Sequence, residues 1–155
     1  MGRALQERLG SKTFESPHHE ALLNVIVTSS HLRGLMEEAF EGTGITSAQY
    51  NVLRILNGAW PEGYPRGEIS ARMLDRAPDL TRMLDRLVRR GYVQRARASQ
   101  DARQSIARIT PKGRKLLASM LGRARPVTRQ IEERLSAREC RELSRLCEKL
   151  YGPLD

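Results

Sequence analysis

Residues 78–110 read PDLTRMLDRLVRRGYVQRARASQDARQSIARIT, and a change of periodicity inside this stretch decides the fold. Leu80, Met83, Leu84, Leu87 and Val88 recur at the i, i+3, i+4, i+7, i+8 spacing that gathers side chains on one side of a helix. The apolar cluster centres near Leu80, which leaves Arg82, Arg86 and Arg89 on the far face. Pro78 suits the first helical position, and Gly91 suits the residue just past the end. The period then shortens to two. Residues 92–96 and 105–109 are short runs with partial alternation, separated by the polar loop 97–104. A helix with one basic face, joined by a glycine turn to a basic hairpin, matches a DNA duplex: the helix enters the major groove and the hairpin tip meets the backbone or minor groove.

The charge distribution supports that match. The 155-residue chain carries a formal net charge of +9. Residues 66–115 hold 14 Lys+Arg against 5 Asp+Glu, residues 1–65 hold 5 against 7, and residues 116–155 hold 8 against 6. The excess therefore sits in the segment with the basic helix and hairpin, as expected of a footprint for a polyanion. Charge alone leaves a merely solvated face open as the alternative. A hydrophobic content of 39% provides for a core and argues against overall disorder, and the length suits one domain with helical extensions.

Working outward towards the N-terminus, residues 68–74 read as a short helix, and Asp75, Arg76 and Ala77 as the turn before the basic helix. Two short helices joined by a tight turn, the second cationic, make a helix-turn-helix. Upstream, Thr46 reads as a helix cap with Gln49 completing a capping box, and Tyr50, Leu53, Ile55 and Leu56 supply an apolar face of about three turns. The connection 58–67 holds Trp60, Pro61, Gly63, Tyr64 and Pro65, a turn-rich segment whose aromatics cap a core more often than they stack on bases. A long helix is expected over 18–40. Leu22, Val25, Ile26, Met36 and Phe40 form one stripe while Leu23, Val27 and Leu35 lie off it, so this helix should touch two bodies. Residues 1–17 read as a polar arm with room for one short helix.

Working outward towards the C-terminus, Thr110 caps a helix that has Pro111 at its first position. Leu116, Leu117, Met120, Leu121, Val127, Ile131 and Leu135 carry the pattern onward, but Pro126 must kink or interrupt it because it donates no amide hydrogen bond. A last helix over 137–150 has Leu143, Leu146, Cys147 and Leu150 on one stripe. These terminal helices carry more apolar surface than a small winged domain covers, and burying them against a second copy gives a twofold dimer with both basic helices on one side. A monomer whose two ends pack on each other is the alternative.

Other chemistry finds little support. No apolar run is long enough for a secretory signal or a membrane span, and Gln6 stands where a myristoylation signal needs Ser or Thr, so the chain is expected to be cytoplasmic. Cys140 and Cys147 lie seven apart in a helical pattern, about 10 Å along the axis and beyond disulfide reach. His18, His19 and His31 have no Cys or carboxylate pair at zinc-site spacing, so neither a metal nor a cofactor is expected. No nucleotide-binding glycine loop and no Ser/His/Asp pattern point to an enzyme.

TSAQYNVLRIL over 46–56, DLTRMLDRLVRRGYV over 79–93, Asp101-Ala102-Arg103 at the hairpin tip and ARITPKGRKLL over 107–117 together resemble the multiple-antibiotic-resistance regulator (MarR) family, in the right order over most of the chain. The resemblance implies a mainly α fold with a small β-hairpin: an N-terminal arm and dimerisation helix over 1–44, a winged helix-turn-helix over 45–110 and C-terminal dimerisation helices over 111–155. It implies a homodimeric regulator, most often a repressor, that binds double-stranded DNA at an inverted repeat and is released by a small phenolic or other aromatic ligand or by thiol oxidation. Carried over, Pro78, Asp79, Thr81, Arg82 and Arg86 would meet DNA from the helix, and Arg95, Arg97, Asp101 and Arg103 from the wing. The family's wing reads Asp-Arg-Arg where this chain has Ala102 in the middle, which puts one phosphate contact in doubt.

Several roles stay open at this level. Arg82 and Arg86 could read guanine or only hold phosphate. Asp101 could orient a neighbouring guanidinium or stabilise the turn. An effector pocket would lie near the long first helix and the helix beginning at Thr46, where Met36, Tyr50 and Tyr64 are equally readable as core. Cys140 and Cys147, on an apolar stripe, read as packing residues ahead of redox sensors. The rival from another class is a winged-helix module that binds protein without specific DNA binding, since the scaffold hosts both uses.

Overall fold

The computed structural model describes residues 2–10, 13–75, 79–97 and 105–152. The chain separates into two compact units, Met1–Glu38 and Ala39–Asp155.

The first unit holds helix α1 (Arg3–Leu9) and most of helix α2 (Pro17–Phe40). Leu5 is buried, and Gly10 closes α1 in the left-handed conformation. Ser16 Oγ accepts from the His19 amide at 3.1 Å and satisfies one free donor at the start of α2. On α2, Leu22, Val25 and Ile26 of the expected stripe are exposed, whereas Leu23, Val27 and Leu35, which lie off it, are half-buried.

The second unit begins where Phe40 packs on Tyr50, ring centroids 4.7 Å apart. Thr43 Oγ1 donates to the Phe40 carbonyl at 2.6 Å and accepts from the Ile45 amide at 3.1 Å, which turns the chain into helix α3 (Ser47–Gly58). The expected capping box is present: Thr46 Oγ1 accepts from the Gln49 amide and Gln49 Oε1 from the Thr46 amide. Val52, Leu53 and Leu56 are fully buried and form the centre of the core with Ile69 of helix α4 (Arg66–Arg72) and Leu87 of helix α5 (Leu80–Arg89). The start of α5 corrects the sequence expectation. Asp79 is the N-cap with φ −125°, so Leu80 takes the first helical position assigned to Pro78, which itself lies outside the described residues. Gly91 follows the helix with φ 72°, the conformation for which a glycine is wanted.

Strands β2 (Val93–Arg97) and β3 (Ser105–Ile109) form the hairpin, with Arg95 opposite Ala107 and Val93 opposite Ile109. A further strand, β1 (Tyr64–Pro65), was not expected; it pairs antiparallel with β3 and gives the order β1-β3-β2. Two residues are too short to show a period, so only tertiary pairing reveals it. Gly63 allows the approach: its φ is 78°, and a Cβ there would collide with the Ala107 carbonyl.

Helix α6 (Pro111–Met120) starts on the expected cap, Thr110 Oγ1 accepting from the Gly113 amide at 3.0 Å. Gly113 lets α6 lie against the Tyr92 carbonyl, where a side chain would clash. The anticipated interruption occurs at Leu121–Ala124, just before Pro126, which takes an early position in helix α7 (Arg125–Glu132). Helix α8 (Ala137–Tyr151) follows behind a second capping box, Ser136 with Glu139. Neither α7 nor α8 has a buried residue. No helix among the described residues is long and apolar enough to cross a membrane.

Candidate nucleic-acid interface

Burial sorts the residues of α5 by face. Leu80, Leu84 and Leu87 point inward at 0–3% exposure, while Thr81, Arg82, Asp85, Arg86 and Arg89 are exposed. The helix is held in the core by its apolar side, which leaves the charged side facing outward.

The exposed guanidiniums are not equivalent. Arg82 Nη1 lies 3.5 Å from Asp79 Oδ2, an exposed i,i+3 pair of the kind that contributes about 0–1 kcal/mol and leaves the guanidinium available to another anion. Asp79 makes no cap hydrogen bond with its side chain. Arg86 and Arg89 have no ion-pair partner among the described residues. Arg95 is different: Nη2 donates to Asp85 Oδ1 at 2.5 Å and ties β2 to α5. Of the remaining expected contacts, Thr81 stands exposed on the same face as Arg82, whereas Asp101, Arg103 and the Arg97 side chain lie outside what is described.

Sequence reasoning passed over the cations behind this face. Arg90 donates to the Gly44 carbonyl and lies over the Tyr92 ring at 5.2 Å, while Lys112 Nζ is 5.1 Å from the same ring and donates to the Arg90 carbonyl at 2.9 Å. Cations suit the carbonyl end of α5, which carries the negative end of the helix dipole. Asn51 was missed too: its Oδ1 accepts from the Leu74 amide at 3.1 Å and holds the start of the turn ahead of α5. Neither role had a local signal, since the partners lie 22 and 23 residues apart.

The residues read as an effector pocket separate by environment. Tyr50 is 5% exposed and packed on Phe40, Tyr64 sits in β1 beneath the Arg72 guanidinium at 4.5 Å, and Met36 is half-buried in the first unit. Trp60 is less a core cap than a surface platform, 42% exposed with Arg114 stacked 4.8 Å over it. Cys140 and Cys147 are free thiols, half-buried on α8. Among the described residues no group of three or more His, Cys, Asp or Glu could hold a metal ion.

Comparison with known proteins agrees with this arrangement. The MarR family model matches residues 45–105. A transcriptional repressor of Bacillus subtilis, YetL, is 26% identical over 102 residues, 66% of this chain and 61% of its own length, so the match spans about three fifths of that relative. CouR from Rhodococcus jostii RHA1, solved bound to p-coumaroyl-CoA, shares the fold at TM-score 0.76 and 18% identity over 92% of this chain and 99% of its own. The crystal structure of a MarR transcription factor from Planctomyces limnophilus is 35% identical, with TM-score 0.66 over 88% of this chain and 98% of that one. A winged helix-turn-helix with its basic helix exposed, matched at that identity over almost the whole of a known regulator, establishes that the chain belongs to the MarR family.

Proposed function

We propose that this protein is a sequence-specific DNA-binding transcriptional repressor, acting in the cytoplasm as a homodimer on an inverted repeat. The observation that carries the reading is the outer face of α5, where Thr81, Arg82, Arg86 and Arg89 stand exposed on a helix whose other side is locked into the core. Arginines so held can pair with O6 and N7 of guanine in the major groove, and Arg97, Asp101 and Arg103 would meet the flanking backbone or minor groove from the wing. The dimer is supported by apolar residues that the single chain leaves in water: Leu143, Leu146, Leu150 and Tyr151 of α8 are 45–77% exposed. A helix with that much uncovered apolar surface is stabilised by a second copy, and twofold symmetry then presents two α5 helices to two half-sites. Control by a small phenolic or other aromatic ligand is the regulatory part of the proposal. The ligand-bound relative of the same fold supports it, and release would require unequal affinity for the two forms of the dimer.

Sequencing the genomic fragments that the purified protein retains should yield an inverted repeat. Binding to that repeat should weaken steeply as salt rises, because each neutralised phosphate releases counterions. Feeble, salt-insensitive binding would instead favour a protein-docking winged helix. Arg82→Ala should weaken the repeat by about 1–3 kcal/mol more than a scrambled duplex, whereas an equal loss on both would make Arg82 a phosphate ligand alone.

A further inference from the structure

Asp85 stands on the exposed side of α5 among Arg82, Arg86 and Arg89, on the surface assigned above to DNA. An acid there opposes the approach of phosphates, so its place calls for a compensating role. The role is visible in its partner. Arg95 is two residues beyond Val93 on β2, hence on the same face of the sheet. Val93 is 2% exposed, whereas Gln94 and Arg95 are exposed and Ala96 is half-buried, so among the described side chains of the strand burial is deepest at its first residue. Across the hairpin, the residue paired with Arg95 is Ala107, too small to reach α5. Among the described residues, the Arg95 Nη2 to Asp85 Oδ1 bond of 2.5 Å is the one side-chain hydrogen bond between α5 and β2, and it joins them beyond the buried Val93.

We propose that Asp85 is a positioning residue: through Arg95 it fixes the outer half of β2 against α5, and so sets where the wing and the recognition helix meet one duplex. The proposal rests on the DNA-binding reading. Arg95 then acts chiefly as the other end of a strut, and its charge, neutralised by Asp85, adds little to phosphate attraction. Charge alone predicts the opposite behaviour, since deleting Asp85 makes the surface more positive and should tighten every duplex.

The test compares wild type, Asp85→Ala, Arg95→Ala, the double alanine variant and the exchanged pair Asp85→Arg/Arg95→Asp on the retained repeat and on a scrambled duplex. Asp85→Ala should lose about tenfold or more on the repeat while holding or gaining affinity for the scrambled duplex. The double variant should lose no more than the worse single one, as coupled partners do, and the exchanged pair should recover most of the loss. Tightening on both duplexes, additive losses or no recovery in the exchanged pair would overturn the strut. Amide hydrogen exchange over Val93–Arg97 in the DNA-free protein reads it independently: exchange should quicken in Asp85→Ala and return to normal in the exchanged pair. Unchanged exchange overturns the strut whatever the DNA result. Wild-type protein that does not distinguish the repeat from the scrambled duplex would instead sink the DNA-binding reading.

Discussion

Helices α5 and α8 have similar sequences in outline, each with leucines on one stripe and arginines around it, yet they end in opposite situations. In α5, Leu80, Leu84 and Leu87 are at most 3% exposed; in α8, Leu143, Leu146 and Leu150 are 47%, 45% and 73% exposed. The first helix has its apolar side satisfied by its own chain, so its arginines are displayed in a fixed direction. The second leaves its apolar side exposed, and the dimer proposed above would cover it. Amphipathicity alone therefore does not say which side of a helix is left exposed: on α5 it is the charged side, on α8 the apolar side is exposed too.

The comparison can be broken first at α8. In the proposed dimer, Leu143→Glu with Leu146→Glu should abolish self-association. These leucines are 47% and 45% exposed in the single chain, so each has about half of a full leucine burial left to lose. Four per dimer amount to roughly 3 kcal/mol or more before the cost of burying the new carboxylates. Sedimentation should then report the monomer mass with helical content intact. An unchanged mass would show that α8 is no dimer contact. At α5 the corresponding truncation acts within one chain. Leu87→Ala, at a fully buried site, should lower folding stability by about 3 kcal/mol, measured by urea unfolding, whatever the protein concentration. A loss under about 1 kcal/mol would mean that α5 is held less rigidly than its burial implies.

Smaller effects sharpen the contrast at the helix starts. Ser136 caps α8 in a capping box, whereas Asp79 provides no side-chain cap for α5. Ser136→Ala should cost about 1 kcal/mol, seen as fraying of the first turn of α8 by amide exchange, while Asp79→Ala should leave the start of α5 no more frayed than before. The smallest effect is one of pH. The hydrogen bond from the Ser136 hydroxyl, then that from its amide, holds the Glu139 carboxyl below the usual carboxylate range, and a bond from Arg145 does the same for Glu142. A pKa lowered by folding stabilises above the unfolded value, near 4.3, and that stabilisation is lost as pH falls through the folded value. Acid should thus loosen α8 below about pH 4, and an α8 whose exchange rates stayed flat on acidification, after correction for intrinsic rates, would contradict this.

Much of this molecule was determined by sequence alone, wherever the deciding interaction is local. The capping box at Thr46, the cap at Thr110, the glycine after α5, the break near Pro126 and the basic face of α5 all follow from residues within a turn or two of each other. Spacing and side-chain chemistry suffice there, because a helix places i, i+3 and i+4 together whatever surrounds it. Only the tertiary structure decided the pairings across distance. β1 exists because Gly63 lets Tyr64 and Pro65 reach β3, and Asn51 serves the turn at Leu74. Arg95, which reads in sequence as one more cation for DNA, is held by an aspartate ten residues earlier on another element. The physical reason is that a periodic pattern reports which face of an element is apolar but not which element will lie against it. A guanidinium goes to whichever anion the folded chain places within reach, and folding brought Asp85 to Arg95.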